Sequence, residues 1–337
     1  MKKIIAGLLL MILNFTFAQK LEFQTLLKDK ISIRAIQIWN GKVWYAGTDS
    51  KFGYVSLKDS ADKKQLILCD IKLQFRTLGF DGERFYAIGI ESPAYFFEID
   101  KNTLDFKNTY VDTHPKAFYD AIKFDDKSRG IAISDPDEHH FVKFKYFNFR
   151  PTKGIYRLPN YFDGEAHFAA SNSNIAMKGD WVWIATGGSK ARIFKFNWKD
   201  LMDWKKIDTP FIQGTSTQGI YSIDFYDEKF GIAVGGDYTK QSENVDNIAT
   251  TNDGGETWQI QASGKNGGYK TCVKIRPKSK GKDIIAVGDQ NIEFSSDYGK
   301  TWTKISDEKG LYVCEWVDKN TLVFAGKNRI VKVIMKD

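Results

Sequence analysis

Three observations predict an all-β chain folded as a seven-bladed β-propeller. Two eight-residue stretches match at a distance of 44 positions, a strand alternation restarts seven times at offsets of 42 to 53 residues, and aromatics make up 15% of the chain. The matching stretches are Thr251-Asn252-Asp253-Gly254-Gly255-Glu256-Thr257-Trp258 and Ser295-Ser296-Asp297-Tyr298-Gly299-Lys300-Thr301-Trp302. Both read Ser/Thr-x-Asp-x-Gly-x-Thr-Trp. An Asp in a tight turn accepts hydrogen bonds from backbone N–H groups two or three residues on. The Gly supplies a positive φ at little steric cost. The Thr starts the returning strand, and the Trp buries a large apolar surface between neighbouring sheets. Tyr, Phe and Trp favour strands, and 28 Gly with only 7 Pro suit many tight turns rather than a disordered chain.

The elements follow in order. Lys2 and Lys3, the apolar run Ile4 to Ile12, and Thr16-Phe17-Ala18 before Gln19 read as an export signal over residues 1–18, with one domain over 19–337. The apolar run is shorter than the roughly 20 residues a membrane span needs. Leu21–Leu27 alternates like a strand but has no unit of its own, and is expected to supply the outer strand of the last unit and so close the ring. The seven units open at Ile33-Arg34-Ala35-Ile36, Phe75-Arg76-Thr77-Leu78, Phe118-Tyr119-Asp120-Ala121, His167-Phe168-Ala169-Ala170, Ile220-Tyr221-Ser222-Ile223, Lys270-Thr271-Cys272-Val273 and Tyr312-Val313-Cys314-Glu315. Each continues into a more apolar strand ending in a small residue, such as Val43–Gly47 or Ile284–Gly288, and then into a third. No helical period of 3.6 persists along the chain, and the alternative architecture is a six-bladed ring with one unit misread, or a double sandwich.

The two Trp-anchored stretches resemble the Asp-box (bacterial neuraminidase repeat) hairpins of sialidases, sortilin-type receptors and photosystem II assembly factor-like propellers. The resemblance implies a structural role, and no ligand contact, for Asp253, Gly255, Trp258, Asp297, Gly299 and Trp302. Tyr156-Arg157-Leu158-Pro159 resembles the Phe/Tyr-Arg-Ile/Leu-Pro motif of sialidases, in which the Arg holds the substrate carboxylate. In that family the motif precedes the Asp-boxes near the start of the catalytic domain, whereas here it stands mid-chain.

Composition narrows the function classes. The formal charge of +7 falls to about +5 without Lys2 and Lys3 and is spread along the chain, which argues for a solvated surface and against a nucleic-acid site. Cys69, Cys272 and Cys314 make no disulfide framework; Cys272 and Cys314 fall at equivalent places in successive units and are expected to be free, buried thiols with a sheet between them. There is no dinucleotide fingerprint, phosphate loop, paired Cys-x-x-Cys or nucleophile elbow, so no cofactor and no metal is expected. His139-His140 beside Asp135 and Asp137 offers metal-ligand chemistry, but neighbours on a strand point to opposite faces.

In a propeller the functional face lies around the central channel, formed by loops between units and loops joining second to third strands. Arg34 and Arg76 share a register in adjacent units, so their guanidiniums are candidates to converge on one anion, a task that suits the planar Arg fork. The other binding candidates are Tyr119, Tyr221, Asp49 and Glu91; pairing of the arginines with Asp49, Glu91 or Asp120 is the competing reading. Glu165, His167, Asp135 and Asp237 are the candidate catalytic groups. The expected function is a secreted, monomeric, non-catalytic propeller that binds a protein or glycan through its channel face, as the assembly factor-like group implies, in the periplasm or outside the cell. The alternative is a glycoside hydrolase or lyase with two carboxyl groups across the channel mouth.

Overall fold

The computed structural model describes residues 20–148 and 159–336. The stretch read as an export signal and Tyr156-Arg157-Leu158 lie outside the described residues. Strands make up the regular structure among the described residues, and no helix there is long and apolar enough to cross a membrane.

The strands form antiparallel sheets whose innermost strands touch one another in succession around a common axis, which makes the fold a β-propeller. Their middle strands are apolar on both faces because each sheet is covered on both sides. Gly231–Asp237 is buried at every position, whereas the outer strand Lys63–Ile67 is almost wholly exposed. Six apolar clusters fill the gaps between consecutive sheets. One of them joins Trp44, Phe52 and Phe85, with the Trp44 and Phe85 rings stacked at 4.4 Å.

The count differs from the predicted seven. Among the described residues there are six hydrogen-bonded sheets. The units predicted as first and seventh lie in one six-stranded sheet, ordered Leu311–Trp316, Thr321–Lys336, Lys20–Trp39, Lys42–Gly47, Lys51–Ser56, Lys63–Ile67. The cause is the strand Lys20–Trp39, which runs unbroken for 20 residues. Its first half pairs with the chain's last strand (Leu21 opposite Met335, Lys28 opposite Arg329) and its second half with Lys42–Gly47. No Gly or Pro interrupts Lys28-Asp29-Lys30-Ile31-Ser32, and bulges bend the strand without ending it.

A second difference concerns the fourth unit. Its innermost strand is Ile175–Lys178, not the predicted His167–Ala170. The alternation that suggested a strand at His167–Ala170 has another cause, described with the pocket below. The two cysteines of the sixth and seventh units are free and buried, as expected, but no sheet separates them: their sulfurs lie 3.9 Å apart where the innermost strands converge on the axis.

The two Trp-anchored turns share one hydrogen-bond set. Asp253 accepts from the Thr257 N–H at 3.0 Å and hydroxyl at 2.6 Å, and from the Thr251 hydroxyl at 2.8 Å; Asp297 accepts from Thr301 and Ser295 in the same way. Gly255 and Gly299 hold φ of 87° and 81°, which explains Gly at that place in both stretches. The first turn also ties two sheets together, because Trp183 donates its indole N–H to the Gly254 carbonyl at 2.8 Å while stacking on Phe225 at 3.8 Å. Burial alone would push the Asp253 carboxyl up; the Thr257 hydroxyl and N–H and the Thr251 hydroxyl outweigh it and hold the group at about 2. A depressed carboxyl stabilises the fold above its unfolded value near 4 and loses that contribution as pH falls through the folded value. Asp253→Ala is therefore expected to cost roughly 1 kcal/mol at pH 7 and almost nothing at pH 2, compared by urea unfolding at the two pH values.

Candidate functional site

The site is built from irregularities in the innermost strands. In four of them one residue has no partner across the ladder: Arg34 between Ile33 and Ala35, Asp120 between Tyr119 and Ala121, Tyr221 between Ile220 and Ser222, and Tyr312 between Leu311 and Val313. A bulge turns its extra side chain out of the sheet's alternation. Here Arg34, Tyr221 and Tyr312 turn into one pocket on the axis, and Asp120 lies behind Asp135 in its wall. The pocket holds a cavity of about 460 Å³.

Its floor is the segment Ala170–Asn174, which crosses the axis before entering the fourth unit. Ala170 accepts from Arg34 Nη1 at 3.0 Å, Asn172 donates to Leu78 O at 2.9 Å and accepts from the Ile122 N–H at 2.8 Å, Ser171 donates to Thr271 O at 2.6 Å, and the Ile223 N–H donates to Ser173 O at 2.8 Å. One short run of small and amide residues thus satisfies backbone groups of four other units and the Arg34 guanidinium of a fifth. This is why His167–Ala170 is not a strand: Phe168 faces the pocket wall, stacked on Tyr221 at 3.9 Å with the rings 1° from parallel, and not a sheet core.

The predicted Arg pair converges. Arg34 and Arg76 both line the pocket, and the charge of Arg34, after burial, lowers the pKa of Arg76. Arg34 lies 4.2 Å over the Tyr312 ring, and Arg76 donates to Gln74 at 3.2 Å. Neither guanidinium has a carboxylate within 4.0 Å among the described residues, so the competing ion-pair reading does not hold as direct contact. Glu91 and Asp120 act on Arg76 only through space. Glu91 itself is exposed and Asp49 half-buried, and neither lines the cavity.

Tyr119 is a correction. It is buried against Phe96 at 4.8 Å and donates its hydroxyl to Asp112 at 3.0 Å. The bulge at Asp120 shifts the register, so that Asp120 and not Tyr119 occupies the position equivalent to Arg34. A one-residue shift in the other direction hides Tyr312, which the repeat alignment places at the start of its unit. Tyr269 and Phe168 also line the wall, and no signal in the sequence marks them.

The four catalytic candidates separate. Glu165 is sealed in an ion pair with Arg192, at 2.5 Å to Nη2 and 3.0 Å to Nε, and also accepts from Thr186 and the Phe162 N–H. Asp237 accepts from the N–H and hydroxyl of Thr239 in a turn and does not line the cavity. His167 borders the cavity, but both ring nitrogens are engaged, Nδ1 with Ala185 O at 3.0 Å and Nε2 with the Tyr161 hydroxyl at 2.9 Å. Burial pulls its pKa down to about 4, so the ring is neutral at pH 7. Asp135 is the one carboxyl of the four that lines the pocket. It accepts from the His167 N–H at 2.7 Å and shares a hydrogen bond with the buried Asp120 carboxyl; burial raises it to about 7.

A closed-bottomed pocket walled by aromatic rings, with two unpaired guanidiniums and a carboxyl pair, on the axis of a β-propeller defines the class: a propeller with a polar site at its channel mouth. Comparison with known proteins adds particular relatives of the fold. No protein-family model and no curated protein matches the sequence. Among solved structures, "YCF48 bound to D1 peptide" is similar at a TM-score of 0.62 with 12% identity, covering 94% of this chain and 97% of that one. The structure of U3-55K is similar at a TM-score of 0.62 with 11% identity, covering 93% and 98%. What is shared at such identity is the fold.

Proposed function

We propose that this propeller binds an acidic segment of a protein partner in the pocket at its channel mouth. The observation that carries the reading is the pair Arg34 and Arg76, two adjacent guanidiniums with no ion-pair partner within reach, in a cavity walled by Phe168, Tyr221, Tyr269 and Tyr312. A carboxylate suits the Arg fork, and aromatic rings are favoured at binding surfaces because they offer apolar area with a polar tip. Tyr238, half exposed at the rim, is placed to meet the incoming chain. The similar YCF48 structure, which holds a peptide, supports a protein ligand.

The hydrolase reading finds less support. A glycosidase needs two carboxyl groups about 5–9.5 Å apart on either side of the bond to be cleaved; Asp120 and Asp135 are in hydrogen-bond contact, and Glu165 is locked to Arg192. In the same proposal the Ser/Thr-x-Asp-x-Gly-x-Thr-Trp turns are structural Asp-box hairpins, pairing of Lys20–Lys28 with Arg329–Lys336 holds the ring closed, and residues 1–18 direct export from the cytoplasm.

The test is a binding screen with capped acidic peptides, matched Asn/Gln peptides and uronic-acid oligosaccharides, read by fluorescence polarisation and by product analysis. Acidic peptides are expected to bind, more weakly as salt rises from 50 to 300 mM, with no oligosaccharide cleaved. Cleavage of a uronic-acid chain with no peptide bound would overturn the reading.

A further inference from the structure

We propose that the Asp120–Asp135 carboxyl pair takes up a proton when an anionic ligand settles on Arg34 and Arg76, so that binding at this pocket is coupled to pH. The inference rests on the reading of the mouth as a carboxylate site. It starts from geometry. Asp120 is the bulge residue of Tyr119–Phe124 and is fully buried. No hydrogen bond of ordinary geometry reaches either of its oxygens from an N–H or hydroxyl group, although the Ala169 N–H lies near. Its partner is the carboxyl of Asp135, at the end of the neighbouring strand Gly130–Pro136. Two carboxyl groups can hydrogen-bond to each other only when a proton sits between them, and two like charges in contact resist a second ionisation.

The surroundings leave one source of compensation. From the second unit, Arg76 favours the ionised pair, and Glu91 acts on Arg76 itself; Arg34 lies near Arg76 on the first unit. From the segment before the fourth unit come His167, which is neutral, and Tyr161, whose hydroxyl burial keeps protonated. Glu165 and Arg192 beside them cancel each other. Tyr269 of the sixth unit is also held protonated by burial. Arg76 is therefore the cation that balances whatever negative charge the pair carries. A ligand carboxylate on Arg76 removes that balance and adds a like charge nearby. Both effects raise the proton affinity of the pair, in which burial already lifts both carboxyls, Asp135 to about 7. Proton uptake on binding and tighter binding at lower pH are the same coupling seen from its two ends.

The probe is an N-acetylated, C-amidated tetraglutamate, whose side chains stay ionised above pH 6. Isothermal titration of the protein at pH 7.5 in HEPES and in Tris, buffers of lower and higher ionisation enthalpy, reads the proton count directly. The expected result is net uptake of a large fraction of one proton, with affinity falling at least threefold between pH 6.5 and 8.5, bounded by tenfold per pH unit for one proton. Asp120→Asn keeps a hydrogen-bond donor to Asp135 but removes the shared titration, so uptake and pH dependence should both vanish. Asp135→Asn is the second variant, should the first fail to fold. Binding with a buffer-independent enthalpy and flat pH profile overturns the coupling and leaves the anion site standing. Uptake that persists in the variants overturns it too, by placing the proton elsewhere. No binding at any pH from 5.5 to 8.5 overturns the anion site and the coupling together.

Discussion

An Arg34→Ala/Arg76→Ala variant is expected to bind acidic peptides about 100-fold more weakly than the unaltered protein, or worse. A hydrogen bond to a charged group contributes roughly 1.5–3 kcal/mol, and two guanidiniums aimed at one carboxylate supply at least two. The loss should appear as binding and not as folding, since the polar and ring contacts forfeited among the described residues are Arg34 to Ala170 O, the Arg34–Tyr312 ring contact and Arg76 to Gln74. Neither arginine leaves an ion-pair partner stranded. Arg76→Lys should fall between the two, because a lysine keeps the charge but not the two-pronged fork. Fluorescence polarisation at low salt, beside a thermal melt, separates affinity from stability. Equal affinity in the double variant would remove the Arg pair from the site.

Glu165→Ala is expected to be the most destabilising change among the residues the sequence marks as catalytic, by about 3–5 kcal/mol. The carboxylate is buried at 2% exposure, and its removal strands the Arg192 guanidinium, itself only 6% exposed, with Asn160 O as its remaining oxygen partner. Urea unfolding measures the effect. The same pair replaced together, Glu165→Met with Arg192→Met, should recover most of the loss, since exchanging a buried ion pair for apolar groups of similar volume is often neutral. A Glu165→Ala protein of normal stability that has lost a hydrolytic activity would instead make this group chemical.

The repeat was legible because the physics that makes a blade is local. Asp253 and Thr257, or Asp297 and Thr301, close their turns within five residues, and Gly255 and Gly299 carry the positive φ that the turn demands. The apolar middle strands needed no partner to be recognised, because a strand covered on both faces must be apolar at nearly every position. Arg34 and Arg76 were legible for the same reason, as equal registers in neighbouring units.

What the sequence did not carry is decided across the ring. A bulge adds one residue to a strand, and its place depends on which pairing the neighbouring strand accepts. The repeat alignment therefore points to Tyr119 where the structure has Asp120, and it passes over Tyr312. The number of sheets depends on whether Lys28–Ser32 bends or breaks, which is set by the partners on its two sides, 329–336 and 42–47. The Ala170–Asn174 floor makes its bonds to residues far off in the chain, and nothing in its own composition announces them. Local hydrogen bonding and burial thus determined the β-propeller and its arginines from the sequence alone. The closed pocket, its carboxyl pair and the pairing of Glu165 with Arg192 exist only where distant segments meet, because the energy that holds them comes from contacts between units and not within one.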